Sequence, residues 1–301
     1  MSALEARLFR ETRAILVESP FWQGDDGGSL LWADISTGEV HVSPWEGAVD
    51  GSDDRVTAVE APLGSFQPAA GGGYVAALGD RLVLLDSSFA IDRTLAPIEH
   101  VHAGLRMNEG KCDPFGRFVA GSMNLTTGEP DAALYRVDAQ GRLETLLGGF
   151  GIANGFEWSD DGRTFYFTDT AVSTVFRCSY GPGDEFGEPQ PFLTGHGFDG
   201  LAIDVDGGFW TGANGEGTVL HWSAGGDLLD EIAIPSPNVT GVAFGGPGMS
   251  TLFVGTAREN LEEAQLREHP LSGGVFAVET GTRGRPVGVF AQPVEGLGGG
   301  A

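Results

Sequence analysis

The clearest pattern in the chain is a short run of apolar and aromatic residues that returns at a nearly constant spacing. Each run follows a turn rich in Gly and Asp and ends in small residues. The six runs are LWAD from residue 31, YVAA from 74, FVAG from 118, YFTD from 166, FWTG from 209 and FVGT from 253, with starts 43, 44, 48, 43 and 44 residues apart. Runs this short, bounded by turn residues, predict β-strands. The chain is therefore predicted to repeat one β-structured unit six times.

Each unit contains four predicted strands. In the fourth unit they are GFEWS, TFYFTDT, TVFRCSY and PQPFLTG, between residues 155 and 195. Four short strands in roughly 44 residues are typical of one β-propeller blade, and the 49 glycines suit the many tight turns of such a ring. We predict an all-β, six-bladed β-propeller with four-stranded blades, formed as one domain by residues 1–301.

Three segments depart from the repeat. Residues 257–270 have the chain's best helical pattern, which ends at Pro270, and predict an insertion between the second and third strands of blade six. RLFRETRAIL near the start and PVGVFA near the end are both strand-like, so we expect the two termini to lie close together and close the ring. The final GLGGGA is expected to be a loose tail.

Composition limits the partners. The chain has 42 acidic and 17 basic residues and a formal charge of -25, which argues against nucleic acid and against an anionic membrane surface. The two cysteines, Cys112 and Cys178, form neither a zinc pattern nor a disulfide framework. No signal peptide and no run of about 18 apolar residues is seen, so we expect a cytoplasmic protein. The sequence leaves the oligomeric state open.

Candidate chemistry collects on the strand that begins each blade, because these strands line the central channel of a propeller. Glycines 110, 155, 200 and 241 recur on these strands, and polar residues precede them: Glu109, Asn154, Asp199 and Thr240. Glu18 occupies a similar place in blade one. Glu18, Asn154 and Asp199 would supply two carboxylates and one amide oxygen, a set suited to Ca²⁺, Mg²⁺ or Mn²⁺. The alternative is that these side chains only cap turns at the strand ends.

Several motifs together resemble one known family. They are ESPFW, RMNEGKCDPFGRFVAGSM, NGFEWSDDGRTFYFTD, DGLAIDVDGGFWTG and TLFVGTARENL, which occur in register across the six repeats. This series resembles the family of regucalcin (senescence marker protein), gluconolactonase and luciferin-regenerating enzyme, and its bacterial sugar lactonases in particular. The resemblance implies a propeller with one divalent metal ion in the channel that hydrolyses sugar lactones.

The resemblance also implies roles for individual residues. It places the metal ligands at Glu18, Asn154 and Asp199 and substrate contacts at Arg106 and Asn108. Thr126 stands where regucalcin has a substrate-contacting glutamate, which leaves the preferred sugar open. Glu109 is a further candidate for the sugar pocket, or it orients Arg106 or Lys111. We expect Lys111, the only lysine of the chain, to pair with Glu109 or Asp113.

The mechanism predicted from these residues uses no protein nucleophile. A divalent ion would polarise the lactone carbonyl, and Asp199 would act as general base toward water. The ligand set admits Ca²⁺, Zn²⁺, Mg²⁺, Mn²⁺ or Fe²⁺. Two alternatives remain open: a non-catalytic propeller that binds calcium or senses a ligand, and a related esterase or organophosphate hydrolase.

Overall fold

The fold is a ring of six antiparallel sheets with four strands each, as the repeat predicts. A computed structural model describes residues 4–126 and 129–292 of the chain. The predicted GLGGGA tail lies outside these residues. Each sheet is one blade, and its first strand lines the channel at the centre of the ring.

The strands follow the predicted order of the blades. Blades one to three contain β2 (Val17–Gln23), β3 (Ser29–Asp34), β4 (Glu39–Pro44) and β5 (Arg55–Ala58); β6 (Leu63–Pro68), β7 (Tyr74–Leu78), β8 (Arg81–Leu85) and β9 (Ile91–Pro97); and β10 (Leu105–Cys112), β11 (Phe118–Asn124), β12 (Ala132–Val137) and β13 (Leu143–Phe150). Blades four to six contain β14 (Ala153–Trp158), β15 (Thr164–Asp169), β16 (Thr174–Ser179) and β17 (Gln190–Thr194); β18 (Phe198–Ile203), β19 (Phe209–Ala213), β20 (Thr218–Trp222) and β21 (Leu228–Ala233); and β22 (Val239–Gly245), β23 (Thr251–Thr256), β24 (Val275–Glu279) and β1 (Ala6–Arg10).

Helical structure is short in the described part of the chain. The α-helix α1 (Glu263–Glu268) lies between β23 and β24, which confirms the predicted insertion in blade six. Two single turns of 3₁₀ helix, Thr170–Val172 and Pro247–Met249, follow β15 and β22. No helix within the described residues is long and apolar enough to cross a membrane.

Ring closure uses the N-terminal strand as predicted, but with a different partner. Strand β1 pairs antiparallel with β24, so the start of the chain supplies the outer strand of blade six. The segment PVGVFA, which we expected to be strand-like and close to the first segment, is not a strand of the sheet that β1 completes. Residues 286–291 instead run across the ring, where Phe290 pairs with Ala69 of blade two and Ala291 donates to the Gly116 carbonyl of blade three. Of this segment Phe290 alone is buried, between blades two and three, whereas Pro286, Val289 and Ala291 are exposed.

The core is divided among the interfaces between neighbouring blades. Six large clusters of buried apolar side chains each combine residues of two adjacent blades, including the contact between blades six and one. The second strands are buried on both faces because each sheet packs between two others, which explains their continuous apolar runs. The blades therefore stabilise one another around the ring, and the inner strands are held rigidly at the channel.

Candidate active site in the central channel

The inner strands of blades one, four and five depart from regular β-sheet pairing beside the predicted metal ligands. The register of each shifts once, between Glu18 and Phe21 in blade one, between Asn154 and Glu157 in blade four, and between Phe198 and Leu201 in blade five. A bulge of this kind bends the strand and re-aims a side chain. Glu18 and Asn154 come directly before their bulges and Asp199 lies within its own, so the three predicted ligands occupy irregular segments at one end of the channel.

Two of these ligands are buried carboxyl groups that interact with each other. Burial raises the pKa of Glu18 well above its usual range, and the negative charges of Asp199 and Glu109 raise it further. Burial also raises the pKa of Asp199, and the charge of Glu109 adds to this effect, while hydrogen bonds with Asn214 and Glu18 oppose it. Like charges in a site without bulk water are stable only when a proton or a cation neutralises them.

The third ligand, Asn154, belongs to a chain of polar side chains that leads to Arg106. Asn154 Oδ1 accepts from Asn108 Nδ2 at 2.7 Å, and Asn108 Oδ1 accepts from Arg106 Nη1 at 2.6 Å. Asn154 Nδ2 donates to Thr170 Oγ1 at 3.0 Å, which fixes the amide orientation. Because an amide oxygen has two acceptor positions, Asn108 and a cation could share it. Hydrogen bonds therefore connect the predicted metal ligand Asn154 to the two predicted substrate-contact residues, Asn108 and Arg106.

Tight backbone packing brings these side chains together. Gly155 follows Asn154 with a φ of 48°, and a Cβ there would lie 2.5 Å from the Asp199 carbonyl oxygen. A Cβ on Gly241 would lie 2.8 Å from Glu18 Oε2. Ser19 follows Glu18 with a φ of 52°, a left-handed conformation that is costly for a residue with a side chain. Its hydroxyl compensates by donating to the Phe66 carbonyl and accepting from the Phe66 N–H, both at 3.0 Å.

The donor set fits a divalent cation. Asp199 Oδ2 accepts from Asn214 Nδ2 at 3.1 Å, whereas the buried Asp199 Oδ1 has no hydrogen-bond partner among the described residues. An unpaired carboxylate oxygen beside a second buried carboxylate and an amide oxygen matches the ligands of hard divalent ions. No group of three His, Cys, Asp or Glu side chains suited to a metal occurs within 4–126 and 129–292. The predicted set contains two carboxylates and the amide of Asn154. A central metal site remains a prediction.

Glu109 lies in the channel close to the ligands. It borders a small cavity together with Ser19, Gln67 and Gly241, and its Oε1 accepts from its own neighbour Gly110 N–H at 2.9 Å. Burial raises its pKa, which the charge of Lys111 partly offsets. A role for Glu109 in the sugar pocket stays a prediction.

The expected partners of Lys111 were wrong. Lys111 Nζ donates to Glu157 Oε1 at 2.5 Å, across from blade three to blade four. Asp113 instead binds Arg117 and accepts from the Tyr180 hydroxyl. Side chains alternate along a strand, so Lys111 turns toward the neighbouring blade and meets the acid that protrudes from it.

Thr126 lies in the exposed loop after β11. Its N–H donates to Asn124 Oδ1 at 2.9 Å, and a Cβ on Gly104 would meet its hydroxyl oxygen. Since β11 runs antiparallel to β10, the loop is at the same end of the channel as Arg106. Thr126 therefore stands at the mouth, and its contact with a substrate stays a prediction.

Sequence reasoning missed the residues that hold the ligands in place. Asn214 supports Asp199, and Thr170 supports Asn154 while donating to the Phe198 carbonyl at 2.6 Å. Both follow the second strand of their blade, one position after the residue paired with Phe198 or Ala153. The two blades therefore carry a polar residue at the same repeat position, and this repetition is visible in the sequence.

The fold and site define a class: a six-bladed propeller with carboxylate and amide oxygens converging at one end of its channel. Residues 16–258 match the family described as the SMP-30/Gluconolactonase/LRE-like region, and the chain belongs to this family.

Relatives and solved structures extend along nearly the whole chain. The chain is 34% identical over 290 residues to 6-deoxy-6-sulfogluconolactonase of Pseudomonas putida, covering 92% of this chain and 96% of that protein. It is 32% identical to L-arabinolactonase of Azospirillum brasilense, covering 97% of each. The crystal structure of the calcium-binding protein regucalcin from Agrobacterium tumefaciens superposes with a TM-score of 0.86 and 26% identity, covering 96% of this chain and 98% of that one.

Proposed function

We propose that this protein hydrolyses sugar lactones to aldonic acids and depends on one divalent metal ion. The observation that carries the proposal is the unpaired, buried Oδ1 of Asp199 in the channel that also holds the buried Glu18. The third predicted ligand, Asn154, is joined to Arg106 through Asn108 by hydrogen bonds. Family membership and the lactonase names of two relatives support the reaction class.

The metal would be held by Glu18, Asn154 and Asp199, with water completing its coordination. When bound, a divalent ion supplies Lewis acidity toward the lactone carbonyl and makes a nearby water a better nucleophile. The oxygen set accepts Ca²⁺, Mg²⁺, Mn²⁺, Fe²⁺ or Zn²⁺, so the ion present depends on availability as much as on affinity.

Protein side chains would transfer the proton and orient the substrate. Asp199 takes a proton from the attacking water as the new bond to the carbonyl carbon forms, and Asn214 holds its second oxygen. The ring C–O bond then breaks, and the proton passes to the leaving oxygen, which gives the open hydroxy acid. Arg106 and Asn108 would bind hydroxyl groups of the sugar, which orients the ester relative to Asp199.

The loop of Thr126 and the buried Glu109 would shape the rest of the sugar site. A threonine is shorter than glutamate and carries no charge, so this wall of the mouth offers a hydroxyl where regucalcin offers a carboxylate. The names of the relatives cover both five-carbon and six-carbon lactones. The carbon number of the preferred sugar is therefore a matter for a substrate panel.

The test is a pH-drop assay on arabinono-, xylono- and gluconolactones, with protein treated with chelator and then resupplied with single metal ions. We expect hydrolysis that chelator removes and a particular ion restores. If no lactone is hydrolysed in a chelator-sensitive way, the proposal fails. Calcium binding by calorimetry without turnover would then favour a calcium-binding or ligand-sensing propeller, and turnover of simple esters or phosphotriesters alone would favour the esterase alternative.

A further inference from the structure

A series of four hydrogen bonds runs from Arg106 on β10 to the start of β18. Arg106 Nη1 donates to Asn108 Oδ1 at 2.6 Å, and Asn108 Nδ2 donates to Asn154 Oδ1 at 2.7 Å. Asn154 Nδ2 donates in turn to Thr170 Oγ1 at 3.0 Å, and the Thr170 hydroxyl donates to the Phe198 carbonyl at 2.6 Å. The series therefore crosses from blade three through blade four to blade five.

The two ends of this series fix the direction of every bond in it. A guanidinium can only donate, so Asn108 must turn its amide oxygen toward Arg106 and its NH₂ group toward Asn154. A backbone carbonyl can only accept, so Thr170 uses its one proton on Phe198 and can only accept from Asn154. A rotated Asn154 amide would put two NH₂ groups face to face on one side and two acceptor oxygens on the other. The Asn154 oxygen is therefore held on the side of Asn108.

Burial makes Asn154 dependent on its protein partners. Asn154 and Asn108 are each 5% exposed, and Asn108 Nδ2 is held a second time because it also donates to the Ala153 carbonyl at 3.0 Å. With so little access to water, the Asn154 NH₂ group needs a protein acceptor, and the Thr170 hydroxyl supplies it. The other partner of that hydroxyl, the Phe198 carbonyl, directly precedes Asp199. One hydroxyl thus connects the segments of two predicted ligands.

We propose that Thr170 is a positioning residue for the metal ion, because it holds Asn154 with Oδ1 turned to the ligand set. This inference rests on the proposed function and on the ligand set within it. An amide oxygen has two acceptor positions, and Asn108 takes only one of them, which leaves one for a cation. Thr170 is not itself a ligand; it acts through the Asn154 amide and through the backbone beside Asp199. Partners of this kind commonly change metal affinity by about 10- to 100-fold.

The local structure around Thr170 does not require its hydroxyl. Thr170 begins the 3₁₀ turn Thr170–Val172, and the turn is capped by Asp169, whose Oδ1 accepts from the Ala171 N–H at 3.1 Å. The turn is therefore stabilised by a neighbouring side chain, while the Thr170 hydroxyl contacts only the amide of one ligand and the segment of another. This division separates the positioning role from the formation of the turn.

The test measures the binding of Mn²⁺ alone, and separately of Ca²⁺ alone, by calorimetry on protein first treated with chelator. Thr170→Val keeps the shape of the side chain but removes the hydroxyl, and we expect the dissociation constant to rise by about 10- to 100-fold. Thr170→Ser keeps the hydroxyl and should bind nearly as tightly as the native protein. Thr168→Val is the matched control. Thr168 lies on β15 at 0% exposure, and its hydroxyl has no hydrogen-bond partner within the described residues, so its loss should leave the affinity unchanged.

Urea unfolding of the same variants separates a positioning role from a general loss of structure. Native affinity in Thr170→Val, whatever its stability, would overturn the inference, as would an equal loss of affinity in Thr170→Ser or in Thr168→Val. If Thr170→Val does not fold, Thr170→Ala removes the same hydroxyl with less bulk and replaces it in the comparison. If the native protein binds neither ion, the proposed metal dependence fails and the inference fails with it. Tight native binding with unchanged variants would refute the role of Thr170 alone.

Discussion

At the scale of single residues, Asp199 carries two proposed tasks, as a metal ligand and as the general base. Asp199→Asn keeps the size and one ligating oxygen but removes the basic carboxylate. We expect kcat to fall by about 10²–10⁴, the usual contribution of a positioned base. The measurement is kcat in the pH-drop assay, with bound metal determined in the same samples. Near-native turnover with the metal bound would show that the base lies elsewhere.

Ser19 gives a residue-scale prediction about stability rather than chemistry. Its positive φ is strained, and its hydroxyl serves both the N–H and the carbonyl of Phe66. Ser19→Val adds a β-branched side chain to this conformation and leaves two buried polar groups unpaired, so the free energy of unfolding should fall by about 2–4 kcal/mol. Urea unfolding measures this.

Ser19→Gly separates the two causes. It loses the same hydrogen bonds but relieves the backbone strain, so its loss should be smaller than that of Ser19→Val by at least about 1 kcal/mol. Equal losses in both variants would mean that the left-handed conformation at residue 19 costs nothing.

At the scale of elements, residues 286–291 cross the ends of inner strands, and we call this segment the strap. Phe290 is fully buried at 0% exposure in the cluster between blades two and three, whereas its neighbour Val289 is 47% exposed. Phe290→Ala should lower the free energy of unfolding by about 3–5 kcal/mol because it leaves a cavity in a packed interface. Val289→Ala is the matched control and should cost less than about 1 kcal/mol. Urea midpoints that fall equally in both variants would show that the strap contributes no packing.

The strap also shows where sequence reading stopped. The apolar residues of PVGVFA predicted a strand, but the segment belongs to no sheet and Phe290 alone is buried. A short apolar run cannot tell a paired strand from a segment that crosses the ends of several strands. The insertion at residues 257–270 was predictable because Pro270 and helical spacing are local signals.

At the scale of the whole molecule, the repeat predicted nearly everything about the architecture. A 44-residue period with four strands leaves few options besides a closed ring, and the recurring glycines located the channel strands. The same period brought Glu18, Asn154 and Asp199 to one end of the channel. It did not predict the pairing of Lys111 with Glu157, since side-chain partners between blades depend on twist and bulges that no period encodes.

The last prediction concerns how the ring closes. Arg10 on β1 of blade six donates from Nε to Asp54 Oδ1 of blade one at 2.8 Å, and the two side chains are 1% and 2% exposed. Asp54→Ala would leave the guanidinium buried without its counter-ion and should cost about 3–5 kcal/mol in free energy of unfolding. Arg10→Met combined with Asp54→Ala should cost clearly less than the sum of the single variants, with a coupling energy of about 1–3 kcal/mol.

The exposed pair Arg267–Glu263 on α1, at 3.2 Å with side chains 71% and 90% exposed, is the control for this double-mutant cycle. Its coupling should be below about 0.5 kcal/mol because water screens it. Urea unfolding of the four proteins in each cycle measures both couplings. Because β1 is the strand that completes blade six, a large coupling at Arg10–Asp54 would mean that closure depends on a buried ion pair as well as on apolar packing. Couplings of equal size in the two cycles would instead assign closure to the apolar interface between blades six and one alone.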